Sequence, residues 1–259
     1  MGRVGPPERR RPPLELAMDP SVELRNIVYR SDAGRLLFDR ASVALYSGSR
    51  TLVCGQFASG KGAIVSFLAG LTPPQQGEVR LFGTDITAVD RSRLDRIRRR
   101  IGFVFEDSVL VSNLKVIENV ALPLHYHTSL SYQESMRRAL DLLVDSGYVG
   151  DVWALPGPLP LYSKKTVALA RAIALKPDVV VFENQETGLT SEERNGLCET
   201  LVRYQKAGEG RLLVFTSGDC GDAALVEADR VVEIRDKSFV DPGVLEAAAI
   251  NGGGGGRGG

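Results

Sequence analysis

The chain has 259 residues and a formal net charge of zero, with 43% hydrophobic and 25% charged residues. This composition is ordinary for a globular chain of one α/β domain or two joined subdomains, and the balanced charge argues against nucleic acid as a partner. Three cysteines show no metal-binding or redox spacing, and their odd number favours reduced thiols in a cytosol-like compartment.

The beginning of the chain predicts an extension followed by short strands. Residues 1–18 are rich in proline and arginine and cannot bury a core, so we expect a disordered basic extension. Short apolar or alternating runs then predict strands at Val22–Val28, Val43–Tyr46 and Thr51–Cys54, because turn residues separate them.

A glycine-rich segment follows the third predicted strand and opens an apolar helical run. Its residues are Gly55, Gln56, Phe57, Ala58, Ser59, Gly60, Lys61, Gly62 and Ala63. This is the layout of a Walker A loop, in which backbone N–H groups and a helix N-terminus hold phosphates and the lysine bridges them. The final Ser or Thr, whose hydroxyl holds Mg²⁺, is replaced by Gly62. Phosphate binding is therefore predicted with the metal ligand missing.

The next segments alternate between strands and helices. Strands are predicted at Glu78–Phe82 and Ile101–Phe105, and the six arginines within Arg91–Arg100 indicate a solvated helix face. Ser131 and Glu134 form the pattern of a capping box, so a helix is expected to follow. Its predicted apolar face consists of Met136, Ala139, Leu140 and Leu143, and Gly147 is expected past its end.

The last third of the chain continues this alternation. We predict a helix over Val167–Ala174, a buried strand at Val179–Phe182 and a helix capped by Thr190 and Glu193. Further strands are predicted at Leu212–Thr216 and Arg230–Ile234, and residues 251–259 form a glycine-rich tail. The pattern favours an α/β fold with a mostly parallel sheet, interrupted by a helical insert near residues 107–163.

The order of motifs from Val22 to Leu245 resembles the nucleotide-binding subunit of an ABC transporter. The matching segments are 68–79, 167–172, 174–178 and 228–232. Within that family, the stretch Ile117–Thr128 is most similar to the ATPases of Mla/Mce-type lipid transporters. The resemblance implies a P-loop NTPase-type parallel core at about residues 19–106 and 164–240 with an antiparallel β subdomain. It also implies a helical subdomain at about 107–163, all within a domain of residues 19–250.

The chain departs from the family pattern where the chemistry is expected. Glu106 stands at the glutamine that reaches the metal and the attacking water, and Glu183-Asn184 replaces the Asp-Glu pair of Walker B. Because Asn184 cannot accept a proton, the general base is absent. Gly218 replaces the histidine of the switch region, and Thr190 replaces the aspartate of the following loop. Thr190 still makes a good helix N-cap.

Two other family features are also altered. The signature Leu-Ser-Gly-Gly-Gln/Met falls on Leu159–Ser163, which lacks its glycines, and Trp153 and Tyr162 are candidates to fill the vacated space. Lys164 and Lys165 follow it and are expected to be solvated. The adenine-stacking aromatic has no clear counterpart, since Ser31 or Asp32 aligns there with Tyr29 nearby. His125 and His127 are expected to be surface residues.

Three interpretations remain open. The chain is a hydrolysis-deficient ABC subunit with a structural or regulatory role, a divergent active ATPase that uses Glu106 or Glu183, or a non-transport scaffold that reuses the fold. The metal ligand, base, signature and switch are all altered, and loss of a base or of oxyanion-type donors typically costs on the order of 10²-fold or more each. Such effects do not simply multiply, but together they favour the first interpretation. ATP is expected to bind weakly, and Mg²⁺ is doubtful, with Glu183 and Glu106 as its only candidate ligands.

The resemblance also implies partners and a location. The segment Asp107–Pro123 is expected to bind a permease through Val109, Leu110, Val111 and Leu114, and a homodimer or heterodimer with another ABC ATPase subunit is expected. No apolar run is long enough to span a bilayer. We therefore expect a cytoplasmic subunit, held on the inner face of the cell membrane by its permease.

Overall fold

Two β-sheets organise the part of the chain that the computed structural model describes, residues 20–184 and 188–241. The strands are β1 Pro20–Arg30, β2 Leu36–Tyr46, β3 Arg50–Cys54, β4 Gln76–Leu81, β5 Thr84–Asp85, β6 Ile101–Val104, β7 Val179–Phe182, β8 Leu212–Ser217, β9 Arg230–Arg235 and β10 Ser238–Val240. The predicted extension of residues 1–18 and the tail of residues 251–259 lie outside the described residues.

Within residues 20–184 and 188–241, six α-helices connect the strands. They are α1 Lys61–Leu68, α2 Arg91–Arg98, α3 Val116–His127, α4 Tyr132–Asp145, α5 Leu161–Ile173 and α6 Ser191–Lys206. A short 3₁₀ helix covers Cys220–Ala223. Among the described residues, none of these helices combines the length and apolarity that a bilayer span requires.

The larger sheet is parallel, as the alternation of strands and helices predicts. Its order is β10-β9-β3-β8-β7-β6, with β9, β3, β8, β7 and β6 parallel and β10 antiparallel at one edge. The smaller sheet is antiparallel, in the order β2-β1-β4-β5. The predicted α/β class, a P-loop NTPase-type parallel core with an antiparallel β unit and a helical unit, is confirmed.

Alternating strand residues feed two separate cores. Val179 and Val181 of β7 pack towards the antiparallel sheet and α1, whereas Val180 and Phe182 pack towards α3, α5 and α6. Because successive side chains point to opposite faces, one strand serves both cores. The parallel sheet is therefore covered on both sides, which its nearly continuous apolar strands require.

The helix caps follow the sequence closely. Ser131 and Glu134 form a capping box at the start of α4, and Thr190 and Glu193 form another at α6. Gly147, just past α4, has a φ of 78°, which suits glycine. One detail of α4 was wrong: Leu140 is exposed, and Leu142 instead joins Met136, Ala139 and Leu143 in the core. The buried stripe is therefore rotated around the helix from the predicted one, away from Leu140 and towards Ser135 and Leu142.

The arginine-rich segment is only partly a solvated face. Arg98 donates two hydrogen bonds, to the carbonyl oxygens of Ala69 and Gly70, at the end of α1. Arg100 pairs with Asp178 at 2.6 Å, and its guanidinium lies 3.6 Å from the centre of the Phe82 ring. These two arginines therefore tie α2 and β6 to neighbouring elements, while the others face solvent.

Candidate functional site

Most of the predicted site residues meet at one edge of the parallel sheet. The glycine-rich segment follows β3, Glu106 follows β6, Glu183 and Asn184 follow β7, and Gly218 follows β8. These four strands are neighbours and parallel, so their carboxyl ends lie on the same edge. Residues up to 163 positions apart in the sequence therefore border one cleft.

The glycine-rich loop has the backbone that a phosphate site requires. Gly60 has a φ of 113°, and an added Cβ would lie 2.7 Å from the ring of Phe38, which is fully buried. Helix α1 begins at Lys61 without a side-chain cap and has no acidic residue in its first turn. Its N-terminus therefore suits an anion, because the first N–H groups of a helix and the helix dipole both favour negative charge.

Lys61 lies folded over the loop. Its Nζ donates a hydrogen bond to the carbonyl oxygen of Gly55 at 2.6 Å, and the residue is buried. The N–H of Gly55 in turn donates to the carbonyl of Ser217, at the end of β8. The ammonium group thus sits where it can meet a phosphate held by the loop, and the loop is anchored to the neighbouring strand.

The tip of the loop carries an unusual aromatic residue. Phe57 is 97% exposed, and Gln56 and Ala58 beside it are also exposed. Tyr29, the nearest predicted candidate for stacking on adenine, instead packs edge-on against Phe67, with ring centres 4.9 Å apart. Tyr29 is therefore part of the core and not of the site, and the structure gives adenine no stacking partner on that strand.

A hydrogen-bonded cluster occupies the ends of β6 and β7. The amide nitrogen of Asn184 donates to Glu106 Oε2 at 2.6 Å, and the backbone N–H of Glu106 donates to Glu183 Oε2 at 3.3 Å. Burial raises the pKa of Glu183, and the nearby charge of Glu106 adds to this, although the Glu106 N–H and Lys165 oppose it. The cluster brings together three of the predicted site residues.

The residues present do not fit Mg²⁺. An added Cβ at Gly62 would lie 3.5 Å from Glu183 Oε1, so the missing hydroxyl would have faced this carboxylate. Magnesium requires near-octahedral oxygen coordination, yet Gly62 supplies no oxygen side chain and Glu106 is already bonded to Asn184. No cluster of three or more His, Cys, Asp or Glu residues with metal-binding geometry occurs in residues 20–184 and 188–241.

One prediction near the signature was wrong in an informative way. Lys165 was expected to be solvated, but it is fully buried. Its Nζ donates to the carbonyl of Phe105 at 3.2 Å and lies 5.5 Å from the centre of the Phe182 ring. Because it also acts electrostatically on Glu183, this ammonium places a positive charge beside the acidic cluster. Lys164 donates to the carbonyl of Gly157 instead.

The altered signature begins a helix. Pro160 immediately precedes α5, which starts at Leu161 and so begins six residues earlier than predicted. Tyr162 packs against the core, as proposed for the vacated space, but Trp153 is 54% exposed with the Lys115 ammonium 5.0 Å from its ring centre. Apolar side chains and a proline therefore stand at the signature positions.

A disulfide links the phosphate loop to the switch segment. Cys54, the last residue of β3, is bonded to Cys220, two residues after Gly218, with the Cα atoms 5.2 Å apart. The expectation of reduced thiols was therefore wrong for these two cysteines, whereas Cys198 is buried and takes no part in a disulfide. The partners are 166 positions apart, so no local spacing in the sequence could have indicated the bond.

A groove runs along β6, between this strand and helices α2, α3 and α5. It has a volume of about 800 Å³, and its lining includes Phe103, Phe105, Val109, Pro123, Tyr126 and Arg171. Of the four contacts predicted for a permease, Val109 lines the groove and is 52% exposed, whereas Leu110 packs against the core. His125 and His127 are exposed, as expected.

Known proteins share this combination of fold and loop. The family model described as "ABC transporter" matches residues 38–184. The intermembrane phospholipid transport system ATP-binding protein MlaF of Escherichia coli K12 is 28% identical over 238 residues, covering 92% of this chain and 87% of MlaF. MlaF of Haemophilus influenzae is 29% identical, covering 87% of this chain and 84% of its own.

The fold is also similar to solved structures of ABC transporter cassettes. The dimeric ATP-binding cassette MJ0796 in a post-hydrolysis state, bound to ADP and phosphate, superposes with a TM-score of 0.77 at 25% identity. The match covers 84% of this chain and 96% of that one. CbiO1 of Clostridium perfringens, part of an ABC transporter complex, has a TM-score of 0.74 at 21% identity, covering 89% of this chain and 92% of its own.

Proposed function

The chain belongs to the ABC transporter family, and from that premise we propose that it is the ATP-binding-type subunit of an Mla/Mce-like lipid transporter that hydrolyses little or no ATP. The substrate class is supported by the MlaF relatives, which are named for intermembrane phospholipid transport. The role is structural or regulatory, exerted on a membrane permease.

The observation that carries this proposal is the hydrogen bond between the side chains of Asn184 and Glu106. Asn184 occupies the position of the general base, and its amide donates to Glu106 at 2.6 Å. An amide cannot take the proton of an attacking water, and the carboxylate beside it is engaged in that same hydrogen bond. Gly218 and Gly62 supply neither a switch imidazole nor a metal-ligating hydroxyl.

Nucleotide binding is expected to survive in weak form. The loop from Gly55 to Ala63 keeps its backbone geometry and its lysine, which are the parts that contact phosphate. The base has no stacking aromatic at Tyr29, and the metal ligand is missing. ATP is therefore expected to bind through its phosphates, with little dependence on Mg²⁺.

ATP turnover by the purified full-length chain tests the proposal. We expect turnover indistinguishable from that of Lys61→Ala, which removes the phosphate-bridging ammonium. Turnover typical of transporter ATPases that disappears in Lys61→Ala would overturn the hydrolysis-deficient assignment. Asn184→Glu restores only one of several altered parts, so we expect at most a small gain, because such parts act non-additively.

The alternative of a divergent active ATPase rests on Glu183. Burial and the charge of Glu106 raise the pKa of Glu183, and a raised pKa makes a carboxylate a better proton acceptor. Under this alternative, Glu183→Gln abolishes turnover, and Glu106→Gln alters its pH dependence. Equal, negligible ATP turnover by the wild type, Glu183→Gln and Glu106→Gln would reject this alternative.

The groove beside β6 is the surface that we assign to the permease. It presents aromatic and aliphatic side chains together with Arg171, and a helix from a membrane subunit can dock into such a groove. Through this contact the subunit would lie on the inner, cytoplasmic face of the cell membrane. As in the dimeric cassette MJ0796, we expect the chain to pair with a second ABC subunit, either its own copy or a different one.

Co-purification with the membrane subunit tests the docking surface. Val109→Asp places a charge in the groove and is expected to abolish association, with or without ATP. Val149→Asp is the matched control, because Val149 is 90% exposed and does not line the groove. Association that requires Lys61 and ATP but tolerates Val109→Asp would indicate a working nucleotide switch, and a failure to associate at all would favour the non-transport scaffold.

A further inference from the structure

We propose that Cys54 and Cys220 form a reversible dithiol–disulfide site that controls how tightly the loop from Gly55 to Ala63 holds a nucleotide phosphate. This inference rests on the proposed nucleotide binding. The bond joins the strand that carries the loop to the segment that follows β8, across 166 residues of sequence. Redox chemistry at this site therefore acts directly on the stem of the phosphate loop.

The two cysteines differ in exposure. Cys54 is fully buried, whereas Cys220 is partly exposed at the start of the 3₁₀ helix. An incoming reagent therefore reaches Cys220 first, and Cys54 acts as the resolving partner. Such an arrangement suits a bond that is made and broken in the folded protein, because chemistry can begin at the accessible sulfur without unfolding the sheet.

Oxidation requires a hydroperoxide, and hydrogen peroxide is the simplest. The Cys220 thiolate attacks one peroxide oxygen, forming a sulfenic acid and releasing hydroxide, which is protonated to water. The Cys54 thiolate then attacks the Cys220 sulfur, and a second water leaves as the S–S bond forms. The two thiols lose two electrons and two protons, and the peroxide is reduced to two water molecules.

Reduction runs by exchange with a dithiol. A reductant thiolate attacks the Cys220 sulfur, and Cys54 leaves as a thiolate that is then protonated. The second thiol of the reductant displaces Cys220 and forms its own disulfide, so that both protein thiols are restored. Atoms and electrons balance with no other participant.

The bond can affect the loop because it adds a covalent link to a stem that is otherwise held by strand pairing and packing, with Cys54 paired to Ser217 of β8 and Glu233 of β9. The N–H of Gly55 donates to the carbonyl of Ser217 at 3.1 Å, and the carbonyl of Gly55 accepts from Lys61. The segment after β8 that carries Cys220 is held by Ser217 Oγ, which donates a hydrogen bond to Asp222 Oδ2 at 2.6 Å. Breaking the bond leaves only hydrogen bonds and packing contacts between the stem and this segment. The oxidised form is therefore better preorganised for phosphate, and reduction lowers affinity.

Cys198 provides an internal control. Burial raises the pKa of this thiol to about 12, so it stays protonated and unreactive in the folded chain. Labelling with a maleimide after denaturation, followed by mass measurement, then separates the two states. The oxidised chain takes one label, on Cys198, and the reduced chain takes three.

The experiment measures ATP affinity by titration calorimetry on the full chain, after treatment with hydrogen peroxide or with dithiothreitol. We expect the oxidised form to bind at least ~3-fold more tightly, reversibly. Cys220→Ser should show the reduced affinity under both treatments, and Cys198→Ser should follow the wild type. By linkage, saturating ATP should make the bond harder to reduce by the same factor.

The outcomes separate the two proposals. Equal affinity in both redox forms overturns the coupling while nucleotide binding stands. Absence of ATP binding in both forms overturns the proposed nucleotide binding and the coupling with it. Three labels after peroxide treatment show that the thiols do not form the bond, which overturns the redox site whatever the affinity. Cys220→Ser alters only the partly exposed end, so it is the variant expected to fold normally.

Discussion

The phosphate loop and the strand ends beside it lie on the same edge of one sheet, yet they differ in which features of the ABC family pattern they retain. The loop retains Gly55, Gly60 and Lys61, whose contribution is backbone geometry and one ammonium group. The ends of β7 and β8 carry Asn184 and Gly218, where reaction chemistry depends on particular side chains. Under the proposed function, the fold itself maintains the binding geometry, whereas single substitutions that leave the fold intact remove the catalytic side chains.

The sharpest test of this comparison is Lys165→Met, which removes the positive charge beside the acidic cluster. We expect a loss of about 3 kcal/mol in the free energy of unfolding, because the Phe105 carbonyl loses its charged hydrogen-bond donor and Glu183 loses a nearby positive charge. Lys164→Met is the matched control and should change stability by less than ~0.5 kcal/mol. Guanidinium unfolding curves measure both. If the two variants are equally stable, the buried ammonium does not support the strand ends.

The second test breaks the loop itself. Gly60→Ala forces a Cβ into the left-handed region and against the packed ring of Phe38, so we expect a loss of about 2 kcal/mol and no detectable ATP binding. Gly62→Ala meets no such obstacle and should leave stability unchanged or raise it by up to ~1 kcal/mol. Thermal unfolding and calorimetry distinguish them. Normal ATP binding by Gly60→Ala would show that the loop geometry does not matter.

The third test restores one side chain to the catalytic half. Gly62→Ser places a hydroxyl towards Glu183, so Mg²⁺ should tighten ATP binding by about 3- to 10-fold, corresponding to ~1 kcal/mol. In EDTA, Gly62→Ser should bind ATP with the affinity of the wild type. Gly62→Ala should bind ATP equally well with Mg²⁺ and with EDTA. A wild-type chain whose ATP affinity already depends strongly on Mg²⁺ would contradict the poor metal fit.

The smallest expected effect concerns the pH dependence of stability. The pKa of Glu183 is raised in the folded chain, mainly by burial, so the folded state loses stability as pH rises from about 4.5 through the raised value. Glu183→Gln removes this loss, and its Tm should exceed that of the wild type at pH 8 but not at pH 4. Glu227, whose pKa is lowered by Arg50, gives the opposite control: Glu227→Gln should lower Tm at pH 8, with the difference fading in acid.

The sequence was a good guide where a local pattern carries the information. The capping boxes at Ser131 and Thr190 were predictable because a hydroxyl and a glutamate three residues apart form them. The apolar runs predicted the strands of the parallel sheet, since a strand covered on both faces is apolar throughout. The glycine-rich loop was identifiable because its spacing reflects backbone geometry.

The remaining features depend on contacts between distant residues. Nothing near Lys165 distinguishes it from the half-exposed Lys164, and its burial is set by Phe105 and Phe182, which come from other strands. The disulfide joins Cys54 and Cys220, which are 166 positions apart. The hydrogen bond between Asn184 and Glu106 joins residues 78 positions apart. Each arises only when the sheet brings its strand ends together, so no local pattern could reveal it.

The central position of β3 has a consequence for how the chain is made. Its partners on either side, β8 and β9, are translated long after it, since Arg50 pairs with Leu213 and Thr51 with Arg230. At ~5–20 residues per second, a ribosome needs roughly 10 to 30 s to reach β8 after completing β3. The antiparallel strands β1, β2 and β4 can associate during that interval, because all are complete by Leu81. The phosphate loop is thus among the earlier segments to be synthesised and among the last to gain its final support.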